Sequence, residues 1–154
     1  MKLIAHRGLM NGPDNTIENA PVQICRALSL GYDCEIDLRV DNHGYFYLGH
    51  DNPDYHTTAE FLHKPGLWIH AKNLNALKWL TNTELNYFWH QEDDFVITSH
   101  RFIWTYPGKE LTTNSVSVMP EWNDPNFTNL PNNCFGICSD YVGKIQKLIP
   151  ASPV

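Results

Sequence analysis

Short apolar runs that end in, or alternate with, metal-binding and proton-transferring residues most constrain what this chain can become. LIAH ends at His6, CEIDLRV carries Glu35 and Asp37, and FYLGH ends at His50. Runs of this length read as strands rather than helices. Side chains alternate along a strand, so Glu35, Asp37 and Arg39 share one face of CEIDLRV while Ile36 and Leu38 share the other. Two carboxylates on one face repel unless a cation lies between them. His6 and His50, both at strand tips, suit general acid and base work near neutral pH, and Arg7 and Arg39 add fixed positive charge for an anion such as phosphate. One site that gathers these residues explains them together.

The 154 residues suffice for one domain, 1–154, with a real core, and a hydrophobic fraction of 42% argues against disorder. The net charge of -6 and the lack of any basic run weigh against nucleic-acid binding. No apolar stretch approaches bilayer length, so stable membrane insertion is not expected. MKLIAHRG reaches candidate site residues almost at once, which leaves no room for a signal peptide and predicts a cytoplasmic protein. Cys25, Cys34, Cys134 and Cys138 would permit two disulfides by count. Their flanks read as helix and strand, where Cys is a small buried hydrophobe, and no Cys-x-x-Cys pair suggests zinc, so free thiols are expected.

Along the chain, KLIAH is read as the first strand, and a helix capped by Asn15 or Thr16 runs through IENAPVQICRALSL to Gly31. CEIDLRV, a turn at Asp41 to Gly44, and YFYLGH follow as strands two and three. Thr57 to His63 holds a helical turn, LWIHAKN is strand four and LNALKWLTN a helix. NYFWHQ and FVITS are separated only by Glu92, Asp93 and Asp94, too little for a parallel crossover, so only one is a barrel strand. FVITS is chosen as strand five and NYFWHQ as part of the connection. FIWTY is a further strand or a wall of the pocket. SVSVMPE and FGICSDYV are the later strands, and GKIQKLI is a closing helix.

His6-Arg7-Gly8, Pro13-Asp14-Asn15-Thr16, Glu35-x-Asp37 and His50-Asp51 resemble, in order and spacing, the glycerophosphodiester phosphodiesterases and the wider phosphatidylinositol-phospholipase-C-like superfamily. Asp14 departs from the family's usual Glu, and Asp41 and His43 from its usual Thr and Asp before Gly44. The resemblance implies a (β/α)8 TIM-type barrel, here with a reduced set of outer helices because that fold ordinarily takes about 250 residues. The alternatives are a sandwich or a smaller open sheet. The resemblance also implies a metal-dependent phosphodiesterase with His6 and His50 as acid and base, and Glu35 and Asp37 on a divalent ion, Mg²⁺, Ca²⁺ or Mn²⁺. Arg7 and Lys72 would then hold phosphoryl oxygens, with Arg39 as further positive charge.

His70 falls where the family commonly has a third acidic metal ligand. Because it shares a strand face with Lys72, it is expected to point inward with Glu35 and Asp37. An imidazole in place of a carboxylate should weaken hard ions such as Ca²⁺ and favour Mn²⁺, Zn²⁺ or another transition metal. His56, His63, His90 and His100 lack motif context and read as surface or packed residues, and Trp104 as the pocket floor. Asp140 ends the last strand and either faces the site or makes a structural hydrogen bond. No basic amphipathic helix suggests membrane docking, so the expected partner is a small soluble phosphodiester, glycerophosphodiester-like or glycan-linked. Whether a neighbouring hydroxyl or water attacks is left open. The rival function is a non-catalytic module that binds phosphate ligands. A homo-oligomer through a thinly covered barrel side, exposing Phe102 and Trp104, stands beside the alternative that later loops cover that side.

Overall fold

Residues 1–150 are described in this computed structural model. Ten strands form one sheet: β1 (Lys2–His6), β2 (Asp33–Val40), β3 (Phe46–Leu48), β4 (Tyr55–Thr57), β5 (Leu67–Ala71), β6 (Tyr87–Phe88), β7 (Phe95–Ile97), β8 (Ile103–Thr105), β9 (Ser115–Val118) and β10 (Gly136–Ser139). Four α-helices accompany them: α1 (Pro21–Ser29), α2 (Ala59–Leu62), α3 (Leu74–Leu80) and α4 (Val142–Leu148).

Parallel pairing runs β6-β5-β2-β1-β10-β9-β8, and β7 adds antiparallel to β8. β3 turns back antiparallel on the end of β2, pairing Leu48 with Leu38 and Phe46 with Val40, and β4 pairs with β3. β2 is buried along almost its whole length because parallel neighbours and packed layers cover both of its faces.

The expected closed (β/α)8 barrel is therefore corrected to an open, mixed, curled sheet. Helices connect β1 to β2 and β5 to β6, whereas β8, β9 and β10 are linked by irregular segments and one 3₁₀ turn at Pro120–Trp122. A chain of this length cannot supply eight full strand-helix units. β6 and β7, at the two ends of the path, share no ladder. Ser99 and His100 bridge that gap: the Ser99 N–H donates to Tyr87 O at 2.8 Å, its hydroxyl donates to Leu85 O at 2.8 Å and accepts from Tyr87 N at 2.9 Å, and His100 Nε2 lies 2.8 Å from Glu84 O.

Three strand assignments change with the fold. Tyr87–Phe88, within NYFWHQ, is the parallel strand beside β5, and Phe95–Ile97 of FVITS is the antiparallel edge, the reverse of the expected choice. The α3 crossover fits either run, and the earlier one is reached first. YFYLGH is not a barrel strand but the return arm of a hairpin. The first helix starts at Pro21, a residue preset for the first helical position, not at the Asn15 or Thr16 cap.

Inside the curl, Ile4, Trp68, Phe88, Trp104, Val116 and Cys138 form an apolar plug. Phe88 and Trp104 stack at 4.5 Å between ring centroids, which brings the β6 and β8 arms of the sheet face to face. Trp104 is buried and Phe102 packs on the same plug, so neither belongs to an exposed apolar wall. On the outer face α1 and α3 cover β2 and β5 through Ile24, Ala27, Ala76 and Leu80. All four cysteines are free thiols. Among the described residues no helix is long and apolar enough to cross a membrane.

Candidate functional site

The C-terminal ends of the parallel strands carry the polar residues above that plug. Register places them: His6 pairs with Glu35 across β1 and β2, and Asp37 with His70 across β2 and β5. Parallel partners share a face, so all four side chains enter the curl. β3 then descends beside β2 until Gly49 N–H reaches Asp37 O at 3.0 Å, and this brings His50 to the same level. A cavity of about 140 Å³ opens there, charged on one side with His6, Arg7, Glu35, Asp37, His50 and His70. Its other side is apolar and aromatic, with Trp104, Tyr106, Val118, Met119 and Trp122. A larger recess of about 310 Å³ around Pro65 and Gly66 holds no comparable group of metal-binding atoms among the described residues.

Glu35, Asp37 and His70 are a possible metal-binding group, with ligand atoms within 4.8 Å of one another. Glu35 is pushed up to about 7 by burial first and then by the Asp37 charge. Burial acts on Asp37 in the same direction, but His70, Arg7 and Asn19 outweigh it and hold that carboxyl below the ordinary range. Asp37 Oδ2 accepts from Asn19 Nδ2 at 2.9 Å, and Asn19 Oδ1 accepts from Asp37 N at 2.9 Å. Asp37 Oδ1, though buried, has no hydrogen-bond partner among the described residues. An orphaned buried carboxylate oxygen beside a second carboxylate and an imidazole fits a divalent cation.

Both candidate proton carriers are oriented by carboxylates. His6 Nδ1 donates to Asp140 Oδ1 at 2.7 Å, while Nε2 lies 3.8 Å from Glu35 Oε2. Burial works against a charged His6, yet Asp140 and Glu35 prevail and raise its pKa above the usual imidazole value. His50 Nδ1 donates to Asp51 Oδ1 at 2.8 Å, and burial together with the Arg7 charge lowers its pKa. Opposite shifts of this kind separate a proton donor from a proton acceptor.

The expected anion-binding residues are not all free to act as such. Arg7 N–H donates to Glu35 Oε2 at 3.1 Å, its Nη1 reaches Glu18 Oε2 at 2.9 Å and its Nε lies 3.2 Å from Asp37 Oδ2. It lines the cavity mainly as the counter-charge of the carboxylates. Arg39 does not line it: Nε donates to Gly49 O at 3.0 Å and Nη2 to His50 O, so the guanidinium holds the backbone that presents His50. Lys72 stands outside the lining, where its charge still reaches His50 and His90.

Several contributors escape a reading by motif. Asn19 is fully buried with φ 61, a left-handed conformation that asparagine tolerates. Glu121 is buried and accepts from Ser139 Oγ at 2.8 Å and Asp140 N at 3.1 Å, so it fixes the backbone behind the His6 partner. His90, expected as a surface or packed residue, lines the cavity, and its carbonyl lies 3.0 Å from His70 Nε2. Asn19 lies between Glu18 and Ala20 with no motif to mark it, so for all three only the fold supplies a signal. Comparison with family models, with curated proteins and with solved structures finds no match to this chain.

Proposed function

We propose that the protein is a cation-dependent phosphodiesterase acting on a small glycerophosphodiester-like or glycan-linked phosphodiester. The observation that carries this reading is the meeting of two carboxylate-oriented histidines with a buried Glu-Asp-His group in one cavity. Glu35, Asp37 and His70 would hold the cation, Mg²⁺, Ca²⁺ or Mn²⁺ being the ions an all-purpose assay tries first. A divalent ion bound there supplies neutralisation of phosphate charge. His50, with Nδ1 committed to Asp51 and its charged form disfavoured, offers Nε2 to take the proton of the attacking hydroxyl or water. His6, whose charged form burial disfavours but Asp140 and Glu35 favour more, would give its Nε2 proton to the leaving oxygen. Lys72, whose charge reaches the site from outside the lining, would add positive potential near the phosphoryl group, while Arg7 chiefly balances the carboxylates. The aromatic wall, with Trp122 exposed to 62%, would receive the apolar face of the alcohol.

Hydrolysis of a generic aryl phosphodiester by chelator-treated protein, with each divalent ion added back in turn, tests the reading. Release of the aryl alcohol that depends on the cation and on both histidines is expected. No turnover with any ion, together with retained phosphate binding, would replace it by the phosphate-binding module.

Gly49 offers an independent check on the role of His50. A Cβ there would stand 1.8 Å from Asn52 O, so the tight turn that follows β3 cannot accept a side chain. Gly49→Ala should shift the backbone held by Arg39 and misplace His50. A displacement of about 1 Å near the chemistry can cost on the order of 10²-fold in rate. Turnover should fall by that order while far-ultraviolet circular dichroism stays unchanged. Full activity in this variant would show that His50 need not be positioned.

A further inference from the structure

We propose that Glu35 Oε1, Asp37 Oδ1 and His70 Nδ1 form a mixed oxygen and nitrogen site that selects a borderline transition ion, Zn²⁺ or Co²⁺, over Mg²⁺ and Ca²⁺. The proposal rests on the reading that this group holds a divalent cation, and it adds the donor atoms and the class of ion. Each of the three side chains is tied on one atom, which leaves the other facing a common point. Glu35 Oε2 accepts from Arg7 N–H at 3.1 Å. Asp37 Oδ2 accepts from Asn19 at 2.9 Å, and Oδ1 has no hydrogen-bond partner among the described residues. His70 Nε2 lies 3.0 Å from His90 O. A carbonyl oxygen can only accept, so Nε2 carries a proton, and Nδ1 is the ring atom turned toward the carboxylates.

Nδ1 faces Asp37 Oδ1 at 3.2 Å and Glu35 Oε1 at 3.8 Å. The closer contact falls short of hydrogen-bond geometry, and Asp37 Oδ1 has no other partner among the described residues. Two carboxylate oxygens and a ring nitrogen thus converge on one point, and a cation bound there takes all three as ligands while Nδ1 gives up any proton it carries. His70 cannot easily turn away: its ring stacks on Phe88 at 4.9 Å and 15°. Outer partners of this kind, a carbonyl behind the imidazole and an amide behind the carboxylate, fix ligand orientation in metal sites. An imidazole donor suits Zn²⁺ and its neighbours, while Ca²⁺ takes six to eight oxygens and Mg²⁺ favours oxygen ligands and water.

Calorimetric titration of the metal-free protein with Zn²⁺, Co²⁺, Mg²⁺ and Ca²⁺ tests the proposal. Zn²⁺ and Co²⁺ are expected to bind at least about 100-fold more tightly than Mg²⁺ or Ca²⁺. In the Zn²⁺-loaded protein, nitrogen-15 NMR should find His70 Nε2 protonated and Nδ1 shifted and without a proton. His70→Glu should lower the Zn²⁺ to Mg²⁺ affinity ratio about 10-fold or more. If circular dichroism shows that variant unfolded, the wild-type ion series and the nitrogen shifts decide. Mg²⁺ or Ca²⁺ binding as tight as Zn²⁺, no binding of any ion, or a proton on Nδ1 in the loaded protein would overturn the proposal. Selective Zn²⁺ binding at His70 without hydrolysis of any phosphodiester supports it while removing the phosphodiesterase reading, so the two fail separately.

Discussion

His6→Ala and His50→Ala are each expected to lower turnover of a phosphodiester by about 10²- to 10⁴-fold, the usual worth of a positioned proton-transfer group. The two losses should not multiply in the double variant, because removing either partner already interrupts one proton circuit. Neither change should unfold the protein. His50 is partly exposed and bonded to the exposed Asp51, so its loss opens no core cavity. His6 lies above the apolar plug, and although its loss takes the imidazole partner from the Asp140 carboxylate, the Asp140 backbone stays held by Glu121. Steady-state rates on the aryl ester, with circular dichroism as the folding control, make the measurement. Near-normal rates in both variants, with the fold intact, would remove the acid-base assignment.

Glu35→Gln is expected to abolish cation-dependent turnover and, in chelator-treated protein, to raise the melting temperature. Glu35 titrates near 4.5 when unfolded and is pushed to about 7 in the fold by burial and by Asp37. An acid whose pKa is raised on folding destabilises only where it must ionise. The penalty is absent below about 4.5, grows as pH rises and is complete above about 7. Glutamine keeps an oxygen for Arg7 N–H and carries no charge at any pH. At pH 8 the metal-free variant should therefore be more stable than wild type by on the order of 1 to 3 kcal/mol, and at pH 4 the difference should vanish. For a chain of this size that corresponds to a gain of several degrees. Added cation should stabilise wild type through mass action and close the gap. A variant that melts below wild type at pH 8 without metal would show that the carboxylates are not in electrostatic conflict.

Much of the site was legible because its donors lie on strands with a strict alternation. Once CEIDLRV is a strand, Glu35 and Asp37 must share a face, and register with LIAH and LWIHA adds His6 and His70. The same alternation misled at Arg39, because a long side chain on the correct face still goes to whichever acceptors are nearest, here the carbonyls of Gly49 and His50. Strand identity was read correctly more often than strand direction. Whether β3 and β7 run parallel or antiparallel depends on the lengths of the turns around them and on the neighbours they find, and none of these is a property of the run itself.

By itself, then, the sequence determined the buried strands β1, β2 and β5, the polar residues at their tips and the helices α3 and α4, all of which follow from local periodicity and caps. Only the tertiary structure decided that the sheet stays open with Ser99 across its gap, that Asn19 grips Asp37, that Glu121 supports Asp140, and that the His90 carbonyl accepts from His70 Nε2. Each of these contacts joins segments far apart in the chain, and a hydrogen bond between distant residues has no periodicity by which a linear reading could find it.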